Sequence, residues 1–153
     1  MSPSRAILHY ILLPLAALLL PVAACFAQAG QSKPVRVVLK GHDPVAYFTE
    51  NKPVKGNPSI SYDWDGERYL FASAANRSKF AATPERYAPQ FGGYCTGTMA
   101  RGARAEADPA AFIIADGKLY VFGQTKFKDM AEKDSAWLAG KVVAASDHWR
   151  MKK

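Results

Sequence analysis

Cysteine is almost missing: Cys25 and Cys95 are the two thiols in 153 residues. So few thiols exclude the disulfide framework that holds many small exported folds together. Stability must then come from an apolar core, and a chain of this length is enough for one domain and short for two. An unbroken apolar run of the roughly 20 residues that a membrane-crossing helix needs is missing too. The N-terminal stretch Ile11 to Ala24 is interrupted by Pro14 and Pro21. The 20 basic residues outnumber the 13 acidic ones, yet they are dispersed. Only Arg150-Met151-Lys152-Lys153 approaches a patch, so the basic stripe with interleaved aromatics that nucleic-acid binding requires is lacking. The excess favours solubility and loose attraction to anionic surfaces. The chain also has no nucleophile elbow, no Gly-rich phosphate loop and no H-E-x-x-H, and so no recognisable catalytic set.

What is present begins with an export signal. Arg5 precedes the apolar stretch, and Ala27-Gln28-Ala29 follows it with the small-x-small spacing of a signal peptidase site. Residues 1–29 are therefore expected to be removed. Their removal takes one base and no acid, leaving a net charge of +6. The alternative is Val22-Ala23-Ala24-Cys25, which resembles a bacterial lipobox; lipidation at Cys25 would tether the protein to a membrane. Without it, the expected location is periplasmic or extracellular.

Residues 30–37 read as a linker and strand lead-in, with Val35, Val37 and Leu39 alternating as in a half-buried strand. Gly41-His42-Asp43-Pro44 breaks that strand, and Val45 to Phe48 is helical or extended. Asp65-Gly66 joins Ser59–Trp64 to Glu67–Ala72, and Asp116-Gly117 joins Ala111–Ala115 to Lys118–Phe122. Asp-Gly favours two-residue hairpin turns because both positions tolerate positive φ. Ser73 caps a helix carrying Phe80, and a short turn runs from Pro84 to Ala88. Thr96 to Asp108 is a loop or extended segment. Helices are expected at Thr125–Lys133 and Trp137–Ala145, with no repeated period beyond the two hairpins. The fold class is α+β: a small antiparallel sheet built from two β-hairpins with interspersed short helices.

Gly41-His42-Asp43-Pro44-Val45-Ala46-Tyr47-Phe48, Tyr69 to Asn76, Pro84-Glu85-Arg86-Tyr87, Gln90-Phe91-Gly92-Gly93-Tyr94-Cys95 and Asp116 to Tyr120 together resemble the YHS domain family. The resemblance runs from about Val38 to Trp149, within a domain placed at 38–153, and the chain looks like the exported, stand-alone branch. It implies metal handling in some members, whose modules in metal-transporting ATPases and metal sensors carry cysteines suited to copper or zinc. The corresponding positions here are Ala46, Ala72 and Asn76, so that ligand set does not carry over.

Cys95 could serve a soft metal, redox chemistry or nucleophilic attack, all of which need the thiolate. The plainer reading, a buried small residue, is preferred. His42, oriented by Asp43, and Met99 would complete a copper or zinc site with Cys95 if the fold brings them together. Tyr47, Asn76, Tyr94 and Cys95 are the candidate pocket residues. The leading function is a binding module for a small ligand or an envelope protein, with no cofactor and no nucleic acid, and with membrane contact only through Cys25. The alternatives are a soft-metal protein using Cys95 with Met99 or His42, and a thiol-dependent redox enzyme.

Mass spectrometry of the protein recovered from the cell envelope or medium is expected to show Gly30 at its N-terminus. A lipid-modified Cys25 in that position would replace secretion with membrane tethering.

Overall fold

Both Asp-Gly turns form as the sequence demands. Asp65 and Gly66 have φ of +51° and +78°, and Asp116 and Gly117 have +50° and +70°, the left-handed pair of a type I′ hairpin. The computed structural model describes residues 34–151. The expected export segment, Cys25 and residues 30–33 of the linker lie outside those residues.

Strands β1 (Asn57–Trp64) and β2 (Glu67–Phe71) form the first hairpin, and β3 (Asp108–Ala115) and β4 (Lys118–Phe122) the second. The hairpins do not join into the single sheet expected from sequence. They remain two separate two-stranded antiparallel sheets, consistent with the α+β class. The helices are α1 (Pro44–Thr49), α2 (Ala74–Ala82), α3 (Pro84–Tyr87), α4 (Thr96–Met99), α5 (Thr125–Lys133) and α6 (Ser135–Arg150). Helix α6 runs beyond both expected ends; it starts early because Asp134 caps it, accepting from the Trp137 N–H at 2.9 Å, and it continues past Ala145 to Arg150. The segment after Cys95, read as loop, includes α4.

The expected strand through Val35 to Leu39 does not form. Arg36 O accepts from Arg68 N–H, and Val37 makes one parallel bridge to Arg68. The chain then turns as a 3₁₀ segment over Val38–Gly41, with Leu39 and Lys40 at φ of +54° and +50°. Val38 and Leu39 are both buried. A strand would point such neighbours to opposite faces, and the left-handed turn lets both enter the core.

The structure also contains a repeat that the sequence pattern conceals. A 3₁₀ turn, a short helix, a hairpin and a helix occur in that order from Val38 to Ala82, and again from Gln90 to Lys133. Residues within the hairpins correspond at a displacement of 51 positions, Glu67 to Lys118 and Phe71 to Phe122. Both hairpins carry the same register shift, Asn57↔Phe71 to Ser61↔Leu70 and Asp108↔Phe122 to Phe112↔Val121. The second 3₁₀ turn repeats the left-handed pair at Phe91 and Gly92, with φ of +56° and +62°.

Two apolar clusters hold these units together. Phe80 is fully buried against Tyr69 at 4.6 Å and Phe71 at 5.3 Å between ring centroids, with Tyr62 and Trp64 slightly further away. Truncating such a ring typically costs about 3–5 kcal/mol. Leu119 and Val121 enter this first cluster, whereas Tyr120 and Phe122 enter a second one with Met99, Leu138 and Ala145. β4 is thus buried on both faces and stitches the clusters together. Tyr47 joins the repeats directly, packing edge-on against Phe112 at 4.8 Å and donating to Pro109 O at 3.1 Å. Close approach also requires glycine at position 56, where a Cβ would lie 2.6 Å from the Leu70 backbone.

Burial pushes the phenols of Tyr47 and Tyr69 up; Asp108 adds to the effect at Tyr47, and Glu67 and Asp65 add to it at Tyr69. A folded pKa above the unfolded value means the stabilisation is complete below about pH 10 and is lost as pH rises toward the folded value. Denaturant midpoints are therefore expected to fall above about pH 10, and Tyr47→Phe to flatten that fall. An unchanged alkaline slope in the variant would refute this assignment.

Candidate functional site

The Asp-Pro pair builds the centre of the first repeat. Pro44 supplies the fixed φ suited to the first turn of α1, and Asp43 is its N-cap. The Asp43 carboxylate is fully buried. Oδ1 accepts from Val45 N–H at 2.9 Å, and Oδ2 accepts from Ala72 N–H at 2.8 Å and from Asn76 Nδ2 at 2.7 Å. One side chain thus ties α1 to the end of β2 and to α2. Burial of a carboxylate is costly unless donors satisfy it, and here three neutral donors do so.

Cys95 holds the matching place in the second repeat. It is the N-cap residue of α4, and its Sγ accepts from Gly123 N–H at 3.1 Å. Gly123 follows β4 as Ala72 follows β2. The sulfur therefore stands where the Asp43 carboxylate stands, doing part of the same work as a weak acceptor. The thiol is buried, at 3% exposure. The adjacent Thr96 hydroxyl is buried with no hydrogen-bond partner among the described residues.

The soft-metal set has no preassembled counterpart. His42 is half-buried with Nδ1 2.9 Å from Leu39 O. Cys95 belongs to the first cluster and Met99, fully buried, to the second. Ala46 is buried, Ala72 offers only its backbone, and Asn76 is committed to Asp43. Among the described residues no three His, Cys, Asp or Glu side chains converge as a metal site. The residues present do not fit the cysteine-based metal centre that the resemblance implied.

The candidate pocket residues are likewise dispersed. Tyr47 is fully buried between the repeats, and Asn76 and Cys95 are occupied as described. Tyr94 is half-buried beneath the Arg36 guanidinium, 3.9 Å from its ring centroid. Arg36 also pairs with Glu106 at 2.7 Å and Glu67 at 3.3 Å, and donates to Gly92 O at 2.9 Å.

A cleft with a volume of about 580 Å³ lies elsewhere. Its first wall is the tip of the β1–β2 hairpin, with Trp64, Asp65, Glu67 and Tyr69. Glu85, Ala88 and Pro89 come from α3 and the turn after it, and Gln90, Phe91 and Gly92 from the second 3₁₀ turn. Arg104 and Trp149 complete the lining. Trp149 packs on Gly92, where a Cβ would come within 3.0 Å of the indole, and its ring is 6.4 Å from that of Phe91. None of Tyr47, Asn76, Tyr94 and Cys95 lines this cleft. Trp149 is 85 positions beyond Trp64, so spacing offers no signal that the two line one cleft.

Comparison with known proteins yields one family. Residues 45–91 match the YHS domain, a span that runs from α1 through α3 into the second 3₁₀ turn and ends before Cys95. No curated protein and no solved structure matches the chain.

The two equivalent acceptors should differ in weight. Asp43→Ala strands three donors and is expected to cost about 3 kcal/mol or more, against about 1–2 kcal/mol for Cys95→Ala, which strands one. Equal losses in chemical denaturation would show that the cysteine does not play the lesser, structural part given to it here.

Proposed function

On the premise that residues 45–91 of this chain are a YHS domain, we propose that the protein is an exported, non-catalytic binding module whose ligand occupies the cleft between Trp64 and Trp149. The observation that carries this reading is the cleft itself. Its volume of about 580 Å³ falls within the roughly 300–1,000 Å³ range of small-ligand sites, and its lining combines the rings of Trp64, Tyr69, Phe91 and Trp149 with the polar groups of Asp65, Glu67, Glu85, Gln90 and Arg104. It is assembled from both repeats, so its shape depends on the whole domain rather than on one loop. Gly92 and Trp149 fix one side, and the hairpin tip, held by Arg36 through Glu67, fixes the other.

Metal handling is the alternative, since the family includes metal-associated members. Its thiol would have to be Cys95, and using it would require breaking the Gly123 hydrogen bond and opening a packed core. Nothing in the described geometry favours a thiol-dependent enzyme, for the sulfur is buried and occupied as the acceptor of the Gly123 N–H.

A soluble fragment library screened by nuclear magnetic resonance is expected to yield ligands that shift the Trp64 and Trp149 indole N–H signals. Gln90→Trp, which fills the cleft, should abolish those shifts while leaving the melting temperature nearly unchanged. A library that moves neither indole would overturn the proposal. So would tight one-to-one binding of Cu(I) or Zn(II) that disappears in Cys95→Ser.

A further inference from the structure

We infer that Arg36 is the latch of this cleft: a residue of the lead-in, outside both repeats, it fixes the separation of the two walls, and displacing the lead-in opens the site. The inference rests on the cleft being the binding site and adds how access to it is controlled.

The first observation is that one nitrogen serves both walls. Arg36 Nη1 donates to Glu67 Oε2 at 3.3 Å and to Gly92 O at 2.9 Å, and both acceptor residues line the cleft. Glu67 belongs to the hairpin wall of the first repeat, and Gly92 to the 3₁₀ turn of the second. The remainder of the guanidinium is seated on the second repeat. Nε and Nη2 donate to the two carboxylate oxygens of Glu106 at 2.7 and 3.3 Å, and Cζ lies 3.9 Å from the Tyr94 ring centroid. Tyr94 and Glu106 are themselves joined by an antiparallel bridge, so the fork rests on a paired base. A planar fork can meet a carboxylate at two points and stack on a ring at once, which a lysine ammonium cannot. Gly92 extends the effect: Trp149 packs on it so closely that a Cβ would come within 3.0 Å of the indole. The hydrogen bond from Arg36 therefore also steadies the surface on which Trp149 rests.

The second observation is how lightly the lead-in is held. Its backbone meets β2 where Arg36 O accepts from Arg68 N–H at 2.8 Å and Val37 bridges to Arg68. Val35 and Val37 are 44% and 38% exposed, and core burial starts at Val38. The Glu106 side chain is 47% exposed, and pairs of this kind are weak and screened by salt. The latch can thus release while both apolar clusters stay packed, a local opening rather than unfolding. Release uncouples Glu67 and the hairpin tip from Gly92 and Trp149. By reciprocity, an occupant that fits the closed cleft holds the lead-in down.

Relaxation dispersion on the ¹⁵N-labelled protein reads such opening on the microsecond-to-millisecond scale and needs no ligand. Relative to the unaltered protein, Arg36→Ala is expected to raise severalfold the exchange broadening of the Trp64 and Trp149 indole N–H and of the Gly66 and Gly92 amides. The Phe80 and Leu119 amides of the first cluster should not change. Arg36→Lys, which keeps the charge but not the fork, should behave like the alanine variant. Val45→Ala lowers stability through the core instead and should leave the cleft signals as they were. Unchanged exchange in Arg36→Ala, full restoration by lysine, or equal broadening in Val45→Ala would each overturn the latch. The fragment screen judges the cleft as a ligand site separately, so the two readings can fail apart.

Discussion

The buried carboxylate of Asp43 is the contact on which the first repeat depends. With no cation among its described partners, it is satisfied by two backbone N–H groups and one amide, and each donor belongs to a different element. The His-Asp-Pro sequence is therefore primarily architectural. Asp43 caps α1, Pro44 starts it, and the second carboxylate oxygen reaches out to collect the end of β2 and the first turn of α2. Loss of such an acceptor strands donors in a place water cannot reach, which is why its cost exceeds that of an ordinary surface hydrogen bond.

The internal repeat gives Cys95 a meaning that its rarity alone could not. A rare thiol invites a chemical role, but this one stands at the topological position of Asp43 and receives the equivalent backbone N–H. Sulfur accepts hydrogen bonds weakly and offers one acceptor atom where the carboxylate offers two. The second repeat is correspondingly held more by packing, with β4 buried on both faces and α6 adding Leu138 and Ala145 to its cluster. In the proposed reading, function rests on the cleft rather than on thiol and histidine. Arg36 connects the two regions: it stacks on Tyr94, pairs with an acid from each repeat, and steadies Glu67 at the cleft wall.

Much of the local structure was legible from residue patterns. The Asp-Gly dipeptides located both hairpins because few residues accept two successive left-handed positions. Ser73 announced α2, and its Oγ does accept from Asn76 N–H. The lead-in strand failed because alternation in Val35, Val37 and Leu39 was a sound signal only if Val38 stayed exposed, and the core took it as well. The surroundings of the candidate pocket residues were not legible for a similar reason: the hydrogen-bonding groups of Tyr47 and Asn76 are taken up by Pro109 O and Asp43, 62 and 33 positions away.

The chain's own order of residues was sufficient for the α+β class, the turns, the helix caps and the family motif, since each of these depends on interactions between residues a few positions apart. Folding alone decided that the hairpins stay separate, that a sulfur replaces a carboxylate in the second repeat, and that Trp64 and Trp149 share a cleft. Those outcomes depend on contacts between residues far apart in the chain, from 28 positions for Cys95 and Gly123 upward, where the free energy of burial and hydrogen-bond satisfaction, summed over the whole core, selects among arrangements that local pattern leaves equivalent.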